Sequence, residues 1–143
     1  MQVTRKHVIA IALVLVLAIP ALALRKPYED CESYTQDLNG GTKEFGGKKY
    51  KIELCRVPRS FADGDEIRLR VMGPAGDVLA ERYFAVRTLN DAAPTELRYS
   101  DDNIFYYDQS KSSPLRFIAM PPSRTDWWTA RIPLLQRLLA FFS

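Results

Sequence analysis

The chain has 143 residues and a formal charge of +3, which is room for one domain plus a targeting segment. Removing Arg5 and Lys6 with such a segment leaves +1, so the basic balance is no argument for nucleic-acid binding, which needs a clustered excess of Lys and Arg. The single histidine, His7, falls in the same segment, and without it the remainder has no Ser-His-Asp or Cys-His set and none of the usual zinc ligand sets.

Arg5 and Lys6 precede an uncharged run of 17 residues from Val8 to Leu24, broken only by Pro20. The run ends in Ala21-Leu22-Ala23, the small-x-small pattern of a signal-peptidase site. Pro20 stops a helical h-region just before the peptide that must be cut in extended form. Arg25 and Lys26 follow at once, and positive charge there resists export, so a membrane anchor is the other reading of residues 1–23. Either way residues 24–143 form a single exported β-rich domain, in the periplasm or at the periplasmic face of the inner membrane. Tyr28-Glu29-Asp30 before Cys31 argues against lipid attachment, which needs small and apolar residues at those positions.

Cys31 and Cys55 are the only cysteines, and in an exported chain two cysteines pair. Such a bridge is worth about 3 kcal/mol in the chain-entropy account.

Strand signals follow. Thr42 to Phe45 pairs with Tyr50 to Leu54 across Gly46-Gly47. Lys49 to Leu54 and Glu66 to Val71 alternate polar and apolar residues, the period of a half-buried strand, with Ile67, Leu69 and Val71 inward. Gly73-Pro74-Ala75-Gly76-Asp77 is turn chemistry, and Val78 to Val86 returns as the second arm of a hairpin. Glu96 to Tyr99, a turn at Ser100-Asp101-Asp102-Asn103, and Ile104 to Tyr107 make another hairpin. Leu115 to Met120 adds a strand before Pro121-Pro122. No helical crossover separates these elements. The expected fold is mainly β: an antiparallel meander or small β-sandwich of 5–6 strands, or one curled towards a barrel. Ser123 or Thr125 caps a helical turn holding Trp127 and Trp128. After Pro133, Leu134 to Phe142 reads as a short C-terminal amphipathic helix, too short and too charged to span a bilayer.

There is no P-loop, dinucleotide fingerprint or nucleophile elbow, no cofactor motif, and no carboxylate pair that can be nominated for glycoside chemistry. The chain therefore reads as a non-enzyme. Asp101, Asp102, Asn103 and Asp108 are oxygen donors of the kind calcium takes, but they lack EF-hand spacing and Asp is ordinary at a hairpin turn. The partner-binding candidates are Tyr106, in a strand with aromatic residues on both faces; Arg68 and Arg70, on a basic strand face balanced by Glu66 and Glu81; and Trp127 and Trp128. The expected role is a non-catalytic module that binds another envelope protein, in the manner of an immunity protein, inhibitor or assembly accessory. The rival is a membrane-anchored structural protein that touches the bilayer through residues 8–24 or the C-terminal helix.

Overall fold

The computed structural model describes residues 28–61, 64–87 and 96–132. The proposed signal or anchor and the expected Leu134–Phe142 helix lie outside them. Among the described residues no helix is long and apolar enough to cross a membrane.

Seven strands form two antiparallel sheets: β1 (Gly41–Phe45), β2 (Lys48–Phe61), β3 (Gly64–Met72) and β4 (Val78–Arg87) in one, β5 (Arg98–Tyr99), β6 (Asn103–Tyr107) and β7 (Leu115–Ala119) in the other. In each sheet the spatial order equals the chain order, so the fold is two stacked meanders. They are open layers, and the barrel alternative is set aside. Two short helices flank them, α1 (Cys31–Asp37) and α2 (Arg124–Arg131).

Local chemistry explains the pairing. Gly46 and Gly47, at φ 56° and 74°, are the whole loop between Phe45 and Lys48. Two central residues in the left-handed region make the turn whose twist matches paired strands. Alternation then sends Ile52 and Leu54, Ile67, Leu69 and Val71, and Ala80, Phe84 and Val86 to one face of the larger sheet, where all are buried. Ile104, Tyr106 and Ile118 of the smaller sheet meet them in one core with Leu38, Phe45, Leu97 and Met120. Phe84 and Tyr106 stack across the layers with ring centroids 5.1 Å apart. Burying each aliphatic side chain of this interior is worth about 1.5–3 kcal/mol.

The β4 edge and the length of β2 that β1 leaves unpaired are both covered, which strands need if they are not to recruit other chains. On the β2 side, β1 stops at Gly41 opposite Ile52, and the segment Glu29–Gly40 takes over. Glu29 and Arg56 exchange backbone bonds at 3.0 Å each, and Thr35 Oγ1 accepts from Leu54 N at 2.9 Å and donates to Leu54 O at 3.2 Å. Gly40 is required by this close approach, since a Cβ there would lie 2.7 Å from Leu54 Cδ1 and 2.9 Å from Ile52 O. On the β4 side, Gln109 N donates to Ala85 O at 2.9 Å, Asp108 Oδ1 accepts from Ala85 N at 3.2 Å, and Arg131 donates to Val78 O at 2.8 Å.

Ser123 is the helix cap, as one of the two expected residues. Its hydroxyl accepts from Asp126 N, and the Asp126 carboxylate accepts from Ser123 N at 2.9 Å, a reciprocal capping box. α2 packs on β4, where Asp126 also pairs with Arg82. α1 was not foreseen. It has no buried residue, so no apolar stripe marks it in the sequence.

Candidate functional site

Each sheet has an inner face in the core and an outer face, and the two outer faces differ in chemistry. On the larger sheet the register sets Glu53, Arg70 and Glu81 in one row and Cys55, Arg68 and Tyr83 in the next. Tyr28 lies over them, its ring centroid 3.4 Å from the Arg68 guanidinium carbon. Arg68 pairs with Glu53 at 3.2 Å and Arg70 with Glu81 at 2.5 Å. Tyr83 donates to Glu81 Oε1 at 3.0 Å, so the 2.7 Å bond between the two phenols is one that Tyr28 donates to Tyr83. Burial first, and then the Tyr28 bond and the Glu81 charge, push the Tyr83 phenol far above its usual value. On this face the guanidinium groups, carboxylates and phenols pair largely with one another.

Two expectations change here. Arg68 was a partner-binding candidate on a basic strand face, but it is 4% exposed. The Tyr28 ring and the Cys31–Cys55 bridge cover it, neither of which strand alternation reveals. Of the expected balance, Arg70 does pair with Glu81, while Arg68 pairs with Glu53.

On the smaller sheet, residues opposite each other in register share a face. Tyr99, Ile104 and Ile118 point inward with Tyr106. Tyr106 is 6% exposed and belongs to the core, so it cannot be a surface contact. Its neighbours take that place. Arg98, Phe105 and Phe117 form one outward row, with Tyr107 and Leu115 beside it. Phe117 is 62% exposed and Leu115 49%. Phe105 and Phe117 contact through rings 6.3 Å apart. Exposed apolar residues scattered singly need no explanation, but several on one face mark a contact surface.

The other candidates separate. Cys31 and Cys55 form the expected disulfide, which suits an oxidising exported compartment. Trp127 is partly buried and packs under Arg131, 3.7 Å from ring centroid to guanidinium carbon. Trp128 is 55% exposed. Asp101, Asp102 and Asn103 lie at the start of β6 and Asp108 just past its end, so the four oxygen donors do not converge. Asp102 accepts from Ser100 and Asn103, while Asp108 is buried and accepts from Ala85 N, Ser110 N and Ser110 Oγ. Among the described residues no three acidic, cysteine or histidine side chains come together as a metal site.

No family model, curated protein or solved structure matches this chain. The site is therefore read from its own chemistry.

Leu115-Arg116-Phe117-Ile118-Ala119 did carry a signal. Phe117 and Ile118 are adjacent, so they must point to opposite faces of a strand, and one large apolar side chain had to be outside the core or under a cover. Which one depended on the register with β6.

Proposed function

We propose that the protein is an exported, non-catalytic binding module of the periplasm or of the periplasmic face of the inner membrane. Its partner is another envelope protein, held against the outer face of β5–β7, and the role is of the immunity, inhibitor or assembly-accessory type. The observation that carries this reading is the outward row of Phe105 and Phe117 with Leu115 beside it. Aromatic anchors with an aliphatic neighbour and an arginine at the margin are the composition of interface centres. The ionisable groups of the opposite face are engaged with one another, which suits structure better than proton transfer.

The test is capture of the tagged mature domain with its envelope partner, under non-reducing conditions, in three versions. Phe117→Asp is expected to weaken capture more than tenfold, the scale of a lost hot spot. Lys51→Ala, an exposed change on the larger sheet, is expected to leave it unchanged. Equal capture by wild type and Phe117→Asp would sink the assignment.

A second reading has its own observation. Trp128 and Ile132 are both exposed and four residues apart, flanked by Arg124 and Arg131. An apolar pair with basic neighbours suits the headgroup region of a bilayer. Flotation of the protein with anionic vesicles, lost on Trp128→Ser, would favour the membrane role; no flotation would remove it.

A further inference from the structure

The two sulfurs of the disulfide have different surroundings. Cys55 is fully buried, and Arg68 Nη2 donates to its Sγ at 3.1 Å. Cys31 is partly exposed. Arg68 is itself buried, its Nη2 also reaches Glu53, and its Nε has no hydrogen-bond partner. A guanidinium gains little from a neutral disulfide sulfur but strongly favours a thiolate. The contact therefore acts on the reduced state, and on one sulfur of the two.

The bridge also holds a segment with few apolar ties. α1 has no buried residue. Apart from the disulfide, Tyr28–Asp37 is tied by the Glu29–Arg56 backbone pair, the two Thr35–Leu54 bonds, the Tyr34–Asp65 and Tyr28–Tyr83 bonds, and the ion pairs of Arg56 with Glu29 and Asp30. The two ion pairs are solvent-exposed, and such pairs contribute little. The remaining ties are the Tyr28 ring over Arg68, Tyr34 packed partly buried against the core, and Leu38 just beyond the helix, 1% exposed.

We propose that Cys31–Cys55 is a reducible latch, opened by a dithiol reductant, whose release frees Tyr28–Asp37 from the edge of β2. A thiolate of the reductant attacks Sγ of the partly exposed Cys31. The new sulfur–sulfur bond forms as the old one breaks, and its electron pair leaves on Cys55, where Arg68 stabilises the thiolate. The second thiol of the reductant loses its proton and attacks its partner sulfur in the mixed disulfide. Cys31 leaves as a thiolate and takes up a proton. The reductant becomes a disulfide, and the two cysteines have gained two electrons. A leaving thiol of lower pKa departs faster, so attack at Cys31 is the favoured direction.

Release exposes the backbone groups that Glu29 and Thr35 now occupy at Arg56 and Leu54. This site is separate from the β5–β7 face and does not depend on it.

The experiment uses the full chain equilibrated in dithiothreitol redox buffers, with the bridge quantified by alkylation and mass. Arg68→Gln is expected to make reduction about tenfold harder, Arg68→Lys to stay near wild type, and Glu53→Gln, which removes the competing carboxylate, to make it easier. If Arg68→Gln does not fold, Glu53→Gln decides alone. Amide exchange of the reduced wild type supplies the structural readout, with protection expected to fall at Leu54 and Arg56 and persist at Leu69 and Val71. Reduction of the folded variants at the wild-type thiol ratio overturns the proposal. So does reduced protein that keeps protection at Leu54 and Arg56, or that loses it throughout, since the bridge would then be a plain staple.

Discussion

On the outer face of the larger sheet Arg68 and Arg70 are paired with Glu53 and Glu81, Tyr28 lies over both guanidinium groups, and Arg68 reaches Cys55 of the disulfide. On the outer face of the smaller sheet Phe105, Tyr107, Leu115 and Phe117 stand in register, with Phe117 and Leu115 largely exposed. Both faces are built by the same two-residue alternation, so alternation does not decide their fate. The difference lies in what the rest of the chain lays over them. Polar side chains held under a cover must satisfy one another, because an unpaired buried charge is expensive. Apolar side chains left in water have no such internal solution, and an association partner removes the cost.

The comparison can be broken most forcefully at Arg68. Arg68→Ala leaves Glu53 partly buried without its partner and removes the support of Tyr28. The expected loss is about 3 kcal/mol, read as a lower urea midpoint. A loss below about 0.5 kcal/mol would mean that the face is solvated after all. Replacing both cysteines, Cys31→Ser with Cys55→Ser, should cost about 3 kcal/mol or somewhat less, because the bridge spans a separation of 24 residues. Asp126→Ala removes the capping box and the Arg82 partner together, and calorimetry should show a loss of about 2 kcal/mol.

A pH titration sharpens the contrast from another side. Burial first, and then the bond and charge of Asp65, push the Tyr34 phenol up to about 12. Burial also raises Tyr83, Tyr99 and Tyr106. Folding thus favours the protonated phenols. That stability is fully present below the unfolded tyrosine value of about 10 and is lost as pH climbs through about 12. The melting temperature should fall across this window, and less steeply in Tyr34→Phe; equal slopes would remove Tyr34 from the account. At the acid end Asp126 behaves oppositely. Burial alone would raise its pKa, but the Ser123 bonds and Arg82 more than offset that and lower it. Its contribution is present above the ordinary carboxylate range and lost as pH falls through the lowered value.

The smallest stability effect is expected on the open face. Phe117→Asp should change stability by no more than about 0.5 kcal/mol, although it is the change expected to weaken partner capture more than tenfold. A loss of several kcal/mol would show that the face is covered in the folded chain and would end its candidacy as a docking surface.

Much of this was legible beforehand because it is local. Period-two patterning marked β2 and β3, and the Gly46-Gly47, Gly73–Asp77 and Ser100–Asn103 turns marked the reversals that placed their neighbours. Ser123 was readable as a cap because N-capping depends on residues within one turn. The disulfide was expected from two cysteines once the chain is read as exported. β5 was also in view, although only Arg98 and Tyr99 of Glu96 to Tyr99 pair as strand. The site was harder. Tyr106 was named and its neighbours Phe105 and Tyr107 were not, since an aromatic strand shows two faces and nothing local says which is outward.

By itself, then, the sequence determined the strands, the turn positions and the antiparallel class, because backbone periodicity and turn chemistry act over a few residues. Only the tertiary structure decided that Tyr28 and α1 close over Arg68, that Arg82 answers Asp126 forty-four residues away, and that Ile118 is core while Phe117 is surface. Those outcomes depend on contacts between distant segments, and pattern along the chain carries no information about which segment will arrive to cover a face.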